Sequence, residues 1–398
     1  RGRPRRSEGA SGRMLDKEVE VSPDAMEIAQ LLFTLKSKGA PGADTAKEKL
    51  MTFIKDRAMA PFYKSTCEQL GWAVDATLLA GFEEANAAEL AKLEATISDA
   101  EKQEGETEVR EALLAKAEFL ARIGENEKAV AAYDEAFKKT IAMGQRLDLL
   151  LAKLRVGFFF DDLKLVVATI SKAKKLLEEG GDWERRNRLK VYEAVYLIMI
   201  RDFKRASALL LDSVATFTAT ELLSYHHFVL FTVTTCLTSL PRAELKEKVV
   251  DAPEILQVLD EIPGLKGLIN GLYSSQYRLL MVSLVQVIDN LKFDRFFYKH
   301  ARYYWREVRV LAYSQFLESY RSVSLPSMAH TFGFSPAFLD QELSGFISMG
   351  RLSCSIDKVG SIVASTRPDT RNAQYNAAIK EGDLLLNRVQ KLSRVINM

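Results

Sequence analysis

Histidines, cysteines and adjacent carboxylates are the groups in this sequence whose types could hold a metal or activate a nucleophile, and their spacing decides against both. His226 and His227 are neighbours. On a helix they point about 100° apart, so they do not converge as an i,i+4 metal pair, and packed or hydrogen-bonded imidazoles are expected. His300 and His330 have no Cys or acidic residue at ligand spacing. Cys67, Cys236 and Cys354 lie 169 and 118 residues apart, which supports neither a disulfide framework nor a CxxC knuckle and points to a reducing compartment with inert, buried thiols. Asp161-Asp162, Glu83-Glu84 and Glu178-Glu179 read as capping or solvated carboxylates. The phosphate loop GxxxxGK[ST], the dinucleotide motif GxGxxG, the serine elbow GxSxG, the zinc motif HExxH and the HxH…Ser…Asp arrangement of zinc isopeptidases are all missing. No catalytic residue, metal site or cofactor site is expected, and the chain reads as a non-enzyme.

What remains is a chain of 398 residues, 47% apolar and 27% charged, with 55 basic against 53 acidic side chains. Length and composition suit a soluble protein of two or three domains. Residues 1–13 carry five Arg and one Glu, so their +4 leaves the rest of the chain at −2, with no global pull on nucleic acid or anionic membrane. That Gly/Pro/Ser/Arg-rich tail is expected to be disordered. Its Arg-Gly-Arg-Pro is a weak minor-groove signal. Met14 reads as a natural start, and no function is assigned to the tail. The most apolar stretch, 222–240, is interrupted by two His and by Thr and Ser, and reads as a buried helix rather than a membrane span.

The elements that fill the chain are helices. Ser22-Pro23-Asp24 signals a helix start for 25–38, a Gly/Pro loop separates a second helix reaching Met59, and Ala76 to Lys102 is alanine-rich with Leu79, Phe82, Leu90, Leu93 and Ile97 on one face. From 111 a repeat sets in. An apolar helix, a Gly124-Glu-Asn turn and a second helix with Ala129, Tyr133 and Phe137 make a tetratricopeptide-like unit. Comparable turns stand at Phe160-Asp-Asp-Leu163 and Ile200-Arg-Asp-Phe203, which align Ala129, Val166 and Ala206 at steps of 37 and 40 residues. One helix pair cannot bury its own stripe, so the repeats must stack into a solenoid.

Over 291–311, Phe293, Phe297, Ala301, Tyr304, Val308 and Leu311 share one helical face, while Lys292, Arg295, Lys299, Arg302, Arg306 and Arg309 form a basic stripe roughly opposite. Phe296, Tyr298, Tyr303 and Trp305 interleave with those cations. The stripe reads foremost as a solvated face or a contact for an acidic partner through Arg295, Lys299, Arg302, Arg306 and Arg309, with stacking on RNA as a further reading. Three helices, 306–320, 324–333 and 335–349, then precede two period-two segments at 351–356 and 361–365, which together make a winged helix. Its third helix carries Asp340 and Glu342 and no Lys or Arg, so it is not expected to read DNA. A final helix from Asn372 has Ala378, Leu385, Val389, Leu392 and Ile396 in a coiled-coil-like seam.

Helical repeats, a winged helix and a terminal helix, in that order, resemble the PCI family, whose members serve the proteasome lid, the cullin-deneddylating signalosome and a translation initiation complex. The strings EEGGDWERRNRLKVYEAVYL (178–197), RDFKRA (201–206), HARYYWREVRVLAYSQFLESYRS (300–322), FLDQELSGFISMGRL (338–352), IDKV (356–359) and GDLLLNRVQKLSRVINM (382–398) are most similar to the lid branch of that family. The resemblance covers about residues 22–398. It implies a mainly α chain: a tetratricopeptide-like right-handed solenoid, a PCI winged-helix domain and a C-terminal bundle helix. The expected divisions are 1–21 tail and lead-in, 22–106 N-terminal helices, 107–290 repeats, 291–370 winged-helix region and 371–398 terminal helix. It further implies a scaffold in cytoplasm and nucleus, in contact with other PCI lid subunits, the lid deubiquitinase and the ATPase ring. The expected contacts are the hairpin residues Leu352, Cys354, Ile356 and Ile362, as a poorly protected sheet edge, and the helix residues Leu384, Leu385, Val389, Leu392, Val395 and Ile396. Service in a signalosome or initiation complex, or RNA binding by the 292–309 stripe, is the alternative.

Overall fold

The computed structural model describes residues 24–37, 42–103, 105–180, 182–366 and 370–396, and the basic tail and residues 367–369 lie outside them. The described residues form nineteen α-helices and three short strands. The chain divides into two compact units. The first comprises residues up to Ser239 with Ala252–Val258 and Asn290–His300, and the second comprises Leu240–Asp251, Leu259–Asp289 and the chain from Ala301 onward.

In the first unit α1 (Asp24–Lys36), α2 (Ala43–Asp56) and α3 (Ala60–Leu70) enclose a core of Ile28, Leu50, Ile54, Phe62 and Tyr63. Helix α3 falls between the elements expected from sequence, and it starts with Pro61 in its first turn, where a missing N–H is harmless. Helix α4 (Ala76–Lys102) is capped by Asp75, whose carboxylate accepts the N–H groups of Thr77 and Leu78.

The repeats follow as α5 (Glu106–Ile123) with α6 (Asn126–Lys139), α7 (Met143–Phe159) with α8 (Leu163–Gly180), and α9 (Trp183–Met199) with α10 (Phe203–Ser213). Each pair packs against itself and closes through the same turn. Gly124, Asp161 and Arg201 all have positive φ, of 87°, 60° and 69°. The next N–H in each case reaches back five residues: Glu125 to Leu120 O at 3.0 Å, Asp162 to Gly157 O at 2.9 Å and Asp202 to Leu197 O at 2.9 Å. This is a Schellman closure, which satisfies carbonyls that a helix end leaves open. Five residues past each turn stand Ala129, Val166 and Ala206, all 0% exposed. The aligned positions are therefore fully buried contacts at which the paired helices approach. Helix α11 (Tyr225–Ser239) is buried throughout 228–237, with Thr232, Thr234 and Thr235 bonding back to carbonyls three and four residues earlier. No described helix is long and apolar enough to cross a membrane.

The second unit holds α12 (Arg242–Leu245), running into a π-helical turn at Lys246–Val250, and α14 (Leu265–Tyr273), which pairs with α15 (Tyr277–Lys292). Helix α13 (Pro253–Leu259) falls mainly in the first unit. The α14–α15 turn repeats the same closure at Ser275, with φ 58°, Gln276 N–H on Gly271 O at 2.8 Å and Leu280 fully buried five residues on. The winged helix comprises α16 (Ala301–Ser319), α17 (Leu325–Phe332), α18 (Pro336–Ser348) and a sheet of β1 (Ser322–Ser324), β2 (Cys354–Asp357) and β3 (Ile362–Ser365). The strand order is β1-β3-β2, all antiparallel, with Val323 and Ile356 both opposite Val363. Sequence reading found the hairpin and missed β1. Its three residues are too few to show a period, and it pairs with a strand about forty positions away. Gly333, at φ 76°, stops α17, and Ser335 caps α18 by accepting the Phe338 N–H. Helix α19 (Thr370–Ile396) ends the described chain.

Candidate interaction surfaces

The 292–309 cations do not form one stripe, because the segment is not one helix. Helix α15 stops at Lys292, a turn and a 3₁₀ stretch (Tyr298–His300) intervene, and α16 starts at Ala301. Asp294 makes this break. Asp294 is buried, and its Oδ1 accepts the N–H groups of Phe296 at 2.8 Å and Phe297 at 3.1 Å. Burial pushes that carboxyl above its ordinary range, against the opposing pull of His227 and Arg295.

Arg295 turns inward and donates to the Phe158 carbonyl. Desolvation lowers its guanidinium to about 10, with Asp161 and Asp294 opposing. Arg309 is bound to Glu342, with side chains 13% and 10% exposed, and Tyr313 donates to the other carboxylate oxygen. These two arginines therefore leave the expected acidic-partner set: their charges are spent inside the chain. Lys299 is exposed and sits 3.4 Å from Asp161, Arg306 lies 3.7 Å from Glu307, and Arg302 is exposed. Of the aromatics read as stacking platforms, Phe296 is buried, edge-on to Phe158 and Phe231. Helix α18 also spends its acids internally, Glu342 as above and Asp340 with Lys358 at 3.5 Å.

The histidines and thiols take structural places. His300 Nε2 lies 2.8 Å from Met199 O, and His227 Nδ1 lies 3.0 Å from Ser224 Oγ. All three cysteines are free and buried, and burial raises the Cys354 thiol. Among the described residues no three His, Cys, Asp or Glu are grouped to hold a metal.

Two surfaces remain. Leu352, just before β2, and Cys354, its first residue, are each only 6% exposed, so both belong to the second unit's own core and face away from a partner. Ile356 is half-buried and Ile362 is 40% exposed. Strands β1 and β2 each carry one side without a described partner strand. Helix α19 presents more. Leu385, Val389, Leu392 and Ile396 are 55–72% exposed and lie with Ala378 within about 60° of one another on the helix. Leu384 and Val395, also expected as contacts, lie about 100° off that seam. An isolated helix is marginal in water, and this one withholds its apolar face from its own chain.

This architecture is that of a PCI protein: the family described as PCI domain matches residues 263–367. The family described as 26S proteasome subunit RPN7 matches 75–248, and the RPN7/PSMD6 C-terminal helix matches 374–396. The chain is 48% identical over 373 residues to a 26S proteasome non-ATPase regulatory subunit 6 homolog of Arabidopsis thaliana, covering 93% of this chain and 96% of that protein. Against the 26S proteasome non-ATPase regulatory subunit 6 of Dictyostelium discoideum it is 44% identical over 384 residues, covering 96% and 100%. COP9 signalosome complex subunit 1 of Arabidopsis thaliana matches only 37% of this chain, at 31% identity. The chain belongs to the RPN7 family of 26S proteasome regulatory subunits.

Proposed function

We propose that this chain is a non-catalytic scaffold of the proteasome lid that supports ubiquitin-dependent degradation through protein contacts alone. Helix α19 carries the reading. Twenty-seven residues long, it holds a continuous apolar seam in water, and each Leu or Val buried there by neighbouring helices would contribute roughly 1.5–3 kcal/mol. The partners are other PCI lid subunits, whose strands can extend the sheet at β1 or β2, together with the lid deubiquitinase and the ATPase ring, in cytoplasm and nucleus. Much greater coverage by proteasome subunits than by a signalosome subunit favours the lid over the related complex. The inward placement of Arg295, Arg309 and Phe296 counts against the RNA reading.

The test is recovery of partners on tagged full-length chain and on chain truncated after Asp383, by native gel and mass spectrometry. Full-length protein should bring down the lid. The truncated protein should fold yet fail to incorporate, and its full assembly would overturn the proposal.

A further inference from the structure

The first unit contains a half-open cavity of about 370 Å³, whose apolar walls include Ile28, Met59, Leu93, Phe119 and Val156. Charged side chains join that lining, with Arg57, Arg122 and Arg155 against Glu89 and Glu118. Their own partners decide what charge the cavity presents. Arg155, on α7, is 12% exposed and lies 3.8 Å from Glu221, so its charge is matched inside the chain. Glu89, on α4, lies 3.8 Å from Lys92. Glu118, on α5, has one carboxyl oxygen enclosed without a hydrogen bond among the described residues. Burial favours its neutral form, although Arg155 pulls the other way. The charge left over belongs to Arg122. That side chain is exposed, sits 5.0 Å over the Phe119 ring and makes no ion pair among the described residues. Arg57, half-buried, lies 5.8 Å over the Phe53 ring and adds a second guanidinium to the same lining. A guanidinium held on a ring face keeps its in-plane N–H groups turned outward, in the fork that a carboxylate fits.

We propose that this cavity binds a small amphipathic monoanion, with its carboxylate on Arg122 and its apolar body among the walls. The volume lies in the range of small-ligand pockets and far exceeds one water. Placing an aromatic or aliphatic body there removes apolar surface of both partners from water, and Met26 and Met59 can adapt to its shape. A cationic head on the same body would meet like charge from Arg57 and Arg122. This inference concerns the free chain and is independent of the assembly reading.

The probes are phenylbutanoate, its neutral counterpart phenylbutanamide and the cation phenylbutylammonium, titrated into the full chain by saturation-transfer NMR. The carboxylate should bind about fivefold more tightly than the amide, as expected for an ion pair at a half-open mouth, and the ammonium most weakly. High salt should narrow that gap. Arg122→Gln, a change at an exposed residue, should bring the carboxylate down to the affinity of the amide. Ala115→Met, which narrows the cavity without changing its charge, should weaken carboxylate and amide alike. Equal affinity of those two probes for the unmodified chain overturns the proposal, as does tighter binding of the ammonium. So does a carboxylate preference that survives Arg122→Gln, and so does an absence of saturable binding, which would make the cavity a water site.

Discussion

Gly157 and Val166 meet across the second solenoid turn so closely that a Cβ added at 157 would stand 2.9 Å from Val166 Cγ2. The same two positions, nine apart, are Leu120 and Ala129 in the first repeat and Leu197 and Ala206 in the third. In the α14–α15 pair they are Gly271 and Leu280, where an added Cβ would lie 2.8 Å from the Leu280 nitrogen. Each turn thus joins one large and one small residue, in either order. Gly157→Leu alone should destabilise the chain by about 1–3 kcal/mol through overpacking. Adding Val166→Ala, which recreates the first repeat's arrangement, should recover much of that loss. Urea unfolding of the four proteins measures the coupling, and additive effects within about 0.5 kcal/mol would show that the two sites are independent.

Charge changes along α16 should split by position. Arg309→Met strands Glu342 in a nearly buried site and should cost about 3–5 kcal/mol. Arg302→Glu and Arg306→Glu alter exposed residues and should move stability by no more than about 0.5 kcal/mol. Thermal melts distinguish the classes. A salt-sensitive loss of assembly in the exposed variants alone would locate an acidic partner there.

For the terminal helix, Leu385→Asp with Leu392→Asp should leave the thermal midpoint of the isolated chain unchanged, because both residues are about two-thirds exposed. The same double variant should be absent from purified lid. A substantial drop in the midpoint would mean that α19 packs on its own chain in solution.

Asp294 provides a pH test. Its folded pKa is raised by burial, so between the ordinary carboxylate value and that raised value the native state binds more protons than the unfolded state. Stability from this group therefore increases as pH falls through that window. Asparagine can still accept the Phe296 and Phe297 N–H groups but carries no charge to desolvate. Asp294→Asn should therefore be at least as stable as the unmodified chain at pH 7. Its advantage should shrink as pH falls toward 4, as the unmodified chain takes up its proton. Urea midpoints of both proteins at pH 7, 6 and 5 test this, and a constant difference would mean that Asp294 does not titrate between them.

Helix periodicity, turn residues and the Ala129–Val166–Ala206 register were legible because they follow from local spacing. So was the α19 seam, since amphipathicity needs only one element. The fate of individual cations was not legible. Arg295 and Arg302 look alike in a helical projection, and what separates them is the Asp294 break, whose Asx-type turn depends on a buried carboxylate. Arg309 finds Glu342 thirty-three residues away. Leu352 and Cys354 are legible as apolar, but Leu352 lies just before β2 rather than in it, and alternation alone does not say which face belongs to the chain's own core. The fourth solenoid-type turn was not legible because Ser275 is followed by Gln276, where the second and third turns have Asp162 and Asp202 after the left-handed residue.

The strand order β1-β3-β2 has a consequence for biosynthesis. The middle strand of the sheet is the last to be made, so β1 and β2 have nothing to pair with until the ribosome has passed Ser365. Between Ser322 and Ser365 elongation takes about 2–9 s at ordinary rates. During that interval the first unit's repeats, made of contacts local in sequence, can already be complete. The nascent winged helix meanwhile exposes strands with both sides open, and the emerging protein is most vulnerable to mispairing or chaperone capture just before its final helix appears.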